Sequence, residues 1–288
     1  MFLRLLAILL ALWALPAVSS RAQTPLPNPI PHFSAIKVVL IGDSTMQVQS
    51  GWGGAFCAKH LNSLAACVNL ARGGRSSGSY RVEGSWDLAL KEISSGGFDA
   101  TYVLIQFGHN DQPGKPGRTT DLASEFPANL AAYVEETRAL GAIPVLVTPL
   151  TRRQFRDGRL EDSLGPWAQA VRKVAADKGV GLVDLYALSS AGVQAMGAVA
   201  ATGLAQKPPS PAVLAAAGQG TTIAEPVAGA ATPPSSPAQV NATVEPLGQP
   251  RTAFDYTHLG DAGAAYFSAM VAKALADAEP GLRRYLFP

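Results

Sequence analysis

The sequence predicts an α/β protein in which a parallel sheet is covered on both faces by helices within one large domain. Three observations predict it. Continuous apolar runs of strand length recur from Ile36 onward, longer amphipathic stretches separate them, and glycines stand just past two of those stretches. A strand buried on both faces reads as an unbroken apolar run, and parallel neighbours need the long crossover that a helix supplies. A chain of 288 residues is long enough for such a domain with a full core.

Taken in order, the first strand spans 37–41 and runs into Gly42; a helix follows over 54–64 and a second strand over 66–70. A helix at 86–94 leads to the very apolar strand 100–107. The next helix, 123–140, stops before Gly141; strand 143–148, helix 165–178 with Gly179 behind it, and strand 180–185 complete the alternation. A closing amphipathic helix covers 259–276.

Two segments fall outside this pattern. Met1 to Arg4 with one basic side chain, an apolar run over 5–18 and the small-residue stretch Ser19-Ser20-Arg21-Ala22 have the layout of a secretory signal, 1–22. The run is shorter than the roughly 20 residues that span a bilayer, so stable membrane insertion after cleavage is not expected. Residues 23–35 form an extended leader, with four prolines between Thr24 and Pro31. From 195 to 250 alanine, proline, glycine and serine dominate, with nine prolines from Pro208 to Pro250. Too few side chains there can be buried to offset the ordering entropy, so a mobile insertion in the 36–288 domain is expected.

The charge balance, 23 basic against 21 acidic residues, creates no single-sign field and gives no reason to expect nucleic acid as a partner. Cys57 and Cys67 are either one structural disulfide or two buried thiols; two thiols alone make no closed zinc site.

Ligands of open parallel sheets bind beyond the carboxyl ends of the strands, and three motifs fall there. Gly42-Asp43-Ser44-Thr45 places a hydroxyl where the first strand ends; a helix cap is the other use of a serine at such a place. Asn69 to Ser76, with Gly73-Gly74, lets the main chain approach a ligand, or is simply a tight turn. In Gly108-His109-Asn110-Asp111 the Asn110 amide can donate to a developing oxyanion, or can bond its own turn.

A base must come from four histidines. His32 lies in the leader and His60 in a surface helix, which leaves His109 and His258. Asp255 precedes His258 by three residues, a spacing that allows carboxylate to meet imidazole. Together Ser44, His258 and Asp255 supply a nucleophile, its base and the acid that orients the base.

These four blocks, in this order, resemble the SGNH hydrolase superfamily, also called GDSL-like esterases, and within it the rhamnogalacturonan acetylesterases. The resemblance implies a three-layer α/β/α sandwich with a five-stranded parallel sheet in flavodoxin-like order. It implies Ser44 as nucleophile, His258 as base, Asp255 as its partner, and the Ser44 amide, the Gly74 amide and the Asn110 side chain as oxyanion donors. It implies no metal or organic cofactor, and an O-acetyl group on pectic or related polysaccharide as substrate, with lipid or small-molecule esters as the alternative. Gly78 stands where relatives of that subgroup often carry a second arginine.

Two other classes of function use the same residues. A metal-dependent phosphodiesterase would take Asp43, His109, Asp111, Asp255 and His258 as ligands; their spacing matches no common metal pattern. A carbohydrate-binding protein without turnover would keep the fold alone. Trp52, Tyr80, Trp86, Phe155 and Trp167 are available to a sugar groove or to the core.

Overall fold

The structure, a computed structural model, describes residues 34–224 and 254–287. In chain order the strands are β1 (Ile36–Gly42), β2 (Ala65–Asn69), β3 (Ala100–Gln106), β4 (Ile143–Val147), a small hairpin of β5 (Phe155–Arg156) and β6 (Arg159–Leu160), and β7 (Gly181–Val183). Five of them form one parallel sheet in the order β2-β1-β3-β4-β7, which is the flavodoxin-like order. Its switch point lies between β1 and β3.

Every residue of β1 is buried, because successive side chains enter different layers. Val38 and Leu40 pack with Phe56, Phe267, Val271 and Leu275, from α1 (Gly53–Lys59) and the closing helix (Asp261–Ala278). Val39 and Ile41 point the other way and meet Trp86, Phe126 and Val171. Those three come from α3 (Ser85–Ser94), α4 (Glu125–Ala139) and α5 (Gly165–Lys178), α2 being the short Ser79–Val82. The result is the three-layer sandwich. Lys37, also buried, is tolerated because its ammonium meets the Ser95 hydroxyl at 2.7 Å, the Ser95 carbonyl at 3.0 Å and the Glu92 carboxylate at 3.3 Å.

Besides α2 and the β5–β6 hairpin, which were not expected, the elements differ from expectation in three places. The first helix begins at Gly53 and ends at Lys59, short of the expected 64. The last strand stops at Val183 because Asp184 caps α6 (Leu185–Met196). One Asp184 oxygen accepts from the Thr148 hydroxyl at 3.0 Å and the other from Arg172 at 2.9 Å. The described part of the expected mobile insertion is helical: α7 (Ala198–Thr202) and α8 (Pro211–Gly218) bury Ala201, Val213 and Ala217. Alanine is the strongest helix former, and Ser210 caps α8 with Pro211 in its first turn. The closing helix is therefore α9. Residues 225–253, which include the rest of the insertion, lie outside the described residues, as do the signal segment and the leader up to Phe33.

Cys57 and Cys67 form a disulfide that ties α1 to β2, resolving the two readings. The five aromatic residues offered to a sugar groove, Trp52, Tyr80, Trp86, Phe155 and Trp167, are all buried in the core. Among the described residues no helix is long and apolar enough to cross a membrane.

Candidate active site

Ser44 sits one turn beyond β1. Asp43 shapes that turn: its Oδ1 accepts from the Thr45 amide and the Thr45 hydroxyl, both at 2.8 Å, while its carbonyl accepts from the amides of Met46 and Gln47. Gln106, at the end of β3 and directly opposite Gly42, donates to the Thr45 hydroxyl at 2.6 Å and accepts from the Trp52 indole at 2.8 Å. The space around Gly42 demands glycine, since a Cβ there would stand 2.7 Å from the Gln106 carbonyl. The nucleophile turn is thus locked to the sheet's two central strands.

His258 comes from a loop 214 positions away and meets it: Nε2 lies 2.9 Å from Ser44 Oγ. On the other side of the ring, Nδ1 lies 2.7 Å from Asp255 Oδ2. Asp255 Oδ1 also accepts from the amides of Thr257 at 2.7 Å and His258 at 2.6 Å. Burial alone would raise the Asp255 pKa, but the hydrogen bond and charge of His258 with these two amides outweigh it and hold it at about 2. An ionised carboxylate only accepts, so Nδ1 carries the proton and Nε2 is left to accept from the Ser44 hydroxyl. That is the geometry of an activated serine.

Two residues join this loop to the sheet. Ser50 donates its hydroxyl to the Ser44 carbonyl at 2.9 Å, and its own carbonyl accepts from the Leu259 amide at 2.8 Å. Arg153 was not foreseen. Buried after β4, its guanidinium donates to the carbonyls of Asp255 (2.9 Å), Thr257 (3.2 Å) and His258 (2.9 Å), and its amide to that of Tyr256 (2.9 Å). One side chain therefore gathers the whole Asp255–His258 turn. Burial pushes Arg153 down to about 10, which leaves it charged at neutral pH. The available signal was a pair of arginines, Arg152-Arg153, directly behind a buried strand at the ligand end of the sheet.

The remaining motifs converge from β2 and β3. Gly74 takes the left-handed conformation, φ 77°, inside a turn whose Arg72 amide bonds the Gly42 carbonyl at 2.9 Å. Glu83 steadies that turn by pairing with Arg72 at 3.2 Å and Arg75 at 2.9 Å. Asn110 donates to the Arg75 carbonyl at 3.0 Å; a side-chain amide has two hydrogens, so one remains. Asp111 accepts from the Ser77 amide and hydroxyl and from the Thr120 hydroxyl, and burial raises its pKa to about 6.

His109, the other histidine left open, is buried with Nδ1 3.5 Å from Asp43 Oδ2. Burial lowers its pKa and favours the neutral ring. It faces Asp43 rather than Ser44's line, and serves no step as base. Among the described residues no group of three or more His, Cys, Asp or Glu side chains is placed to hold a metal, so the five ligands of the phosphodiesterase reading do not assemble.

Residues 40–266 match the family model described as the GDSL-like Lipase/Acylhydrolase family. The chain belongs to that family. It is a carboxylic ester hydrolase of the SGNH type. Among curated relatives, rhamnogalacturonan acetylesterase RhgT of Bacillus subtilis is 37% identical over 171 residues, covering 56% of this chain and 70% of that protein. The probable rhamnogalacturonan acetylesterase YesY of the same organism is 33% identical, over 54% of this chain and 72% of its own length. The crystal structure of YxiM from Bacillus subtilis shares the fold with a TM-score of 0.59 at 20% identity, over 85% of this chain. This chain spans 57% of that longer one.

Proposed function

We propose that this hydrolase is exported and removes O-acetyl groups from a pectic, rhamnogalacturonan-type polysaccharide, with Ser44, His258 and Asp255 as its triad. The observation that carries the catalytic half is the unbroken hydrogen-bonded line from Ser44 Oγ through the His258 ring to Asp255, at 2.9 and 2.7 Å. The polysaccharide half is supported by what RhgT and YesY are named for. Export is supported by the layout of the first 22 residues.

Ser44 Oγ attacks the acetyl carbonyl carbon as its proton passes to His258 Nε2. Negative charge gathers on the carbonyl oxygen, where the free Asn110 hydrogen and the amides of Ser44 and Gly74 receive it. Asp255 holds the imidazolium without taking its proton. The bond to the sugar oxygen then breaks, and His258 protonates that oxygen. Water enters, gives a proton to His258 and attacks the acyl carbon; acetate leaves and Ser44 regains its hydrogen. Ester and water become acid and alcohol, with every proton carried by one imidazole.

The test is acetate release by the purified protein from acetylated pectin, acetylated xylan and p-nitrophenyl acetate. Preferred turnover of pectin is expected. Turnover of p-nitrophenyl acetate with no acetate from either polymer would remove the polysaccharide and leave a lipid or small-molecule ester as substrate.

A further inference from the structure

One cavity is lined by residues that hydrogen-bond to the two turns carrying the candidate oxyanion donors. Its volume is 820 Å³, within the range of about 300–1,000 Å³ usual for ligand sites, and Gly78, Arg118, Thr119, Thr120, Ala128 and Asn129 line it. Arg118 reaches from this wall to the Gly74 carbonyl at 3.5 Å. The opposite side is tied to Asp111, the neighbour of Asn110: Thr120 bonds Asp111, and Asn129 bonds the Ser77 hydroxyl that Asp111 also holds. The cavity is therefore joined to both oxyanion turns, through Arg118 on one side and the buried Ser77–Asp111–Thr120 cluster on the other. A second cavity, of 640 Å³, is at the opposite end of the sheet, beside Ile36, Ala100 and the 280–285 turn, and has no such link.

Beside apolar surface the lining offers the Thr119 and Thr120 hydroxyls and the Asn129 amide, which both give and take hydrogen bonds, the Arg118 guanidinium, which gives them, and the Glu83 and Glu125 carboxylates, which take them, a set that suits a sugar's hydroxyls. It is open at Gly78 because no side chain stands there. A Cβ at that place would touch the Thr120 methyl at 3.3 Å and the Asn129 amide at 3.6 Å, so any longer side chain would run into the space between them. Gly78 has an ordinary right-handed backbone, φ −79° and ψ −51°, so its lack of a side chain is not a demand of the turn.

We propose that this cavity is a saccharide subsite, holding the sugar next to the acetylated one while the ester lies at Ser44. The proposal rests on the polysaccharide reading above. It gives the enzyme a way to prefer a polymer over a bare acetyl ester: contacts to a remote sugar place the ester and are absent when no sugar is attached.

Gly78→Leu and Ala128→Leu test it by filling the cavity from two sides. Neither residue has a side-chain hydrogen bond to lose, Ala128 is exposed on α4, and leucine cannot hydrogen-bond a sugar. In each variant kcat/KM for acetylated pectin should fall at least tenfold, mainly through KM, while p-nitrophenyl acetate is turned over within twofold of the parent. Unchanged pectin turnover in both variants would overturn the subsite, as would equal losses on both substrates in both. If Gly78→Leu alone fails on both, Ala128→Leu decides. A parent enzyme that cleaves p-nitrophenyl acetate and no polymer would instead bring down the polysaccharide reading, and the subsite with it.

Discussion

The two halves of the candidate triad are held by different means. Ser44 stands on a turn that grows out of β1, is 8% exposed, and is fixed by Asp43, Thr45 and Gln106, all fully buried. Asp255 and His258 stand on a loop with no strand beneath it, and their side chains are 37% and 29% exposed. Buried side chains rooted in β1 and β3 position the first half, and the second is gathered mainly by one arginine side chain, with Ser50 as a further tie. The nucleophile half should therefore tolerate little structural change anywhere along β1 and β3, whereas the base half should be adjustable at a single residue.

The largest effect tests the first half. Ser44→Ala should lower kcat on p-nitrophenyl acetate by on the order of 10⁵–10⁶ with an unchanged circular dichroism spectrum, since removing a triad serine forfeits the covalent route. Asn110→Ala should cost about 10²–10³ in kcat, the usual loss for one oxyanion donor, read from the same assay. If Asn110 were only a turn residue, stability would fall and kcat would not.

Arg153→Met probes the second half. It leaves three carbonyls without their donor and frees the Asp255–His258 turn, so kcat should drop about 10²-fold, the scale of a 1 Å misplacement. Arg153→Lys should recover part of it. Equal losses in Ser50→Ala and Arg153→Met would erase the contrast, because Ser50→Ala removes only one side-chain bond to the Ser44 carbonyl and leaves the main-chain bond to Leu259 in place.

The smallest effect is on stability in acid. Asp255 is held at about 2 against an ordinary value of 3.8, so it contributes stability above 3.8 that fades as pH falls from there towards 2. Urea midpoints should show a slightly steeper acid decline in the parent than in Asp255→Asn. The same depression keeps Asp255 ionised throughout the working range, so loss of the Asp255 charge does not set the acid limb of activity.

The same contrast governs what could be read in advance. Strands buried on both faces announce themselves, and four of the five sheet strands begin and end within one residue of expectation. Ser44, Asp255 and His258 could be nominated because an activated serine restricts the side-chain types it can use, and the folded chain brings the three into one hydrogen-bonded line. Arg153 could not be, because its partners are main-chain carbonyls, which leave no mark on the residues that own them. Residues 198–218 were misjudged by composition: alanine was weighed as unable to form a core, when its helix propensity and the Ser210-Pro211 start were the stronger signals. The subsite walls come from loops and helix ends whose proximity only the folded chain creates.

The proposed mechanism requires that His258 activate Ser44 and no other hydroxyl. Treating the parent, Ser44→Ala and His258→Ala proteins with diisopropyl fluorophosphate and mapping the adduct by peptide mass spectrometry tests it. One diisopropylphosphoryl group is expected on Ser44 in the parent and none in either variant. Labelling of a different residue, or full labelling of Ser44 without His258, would contradict it.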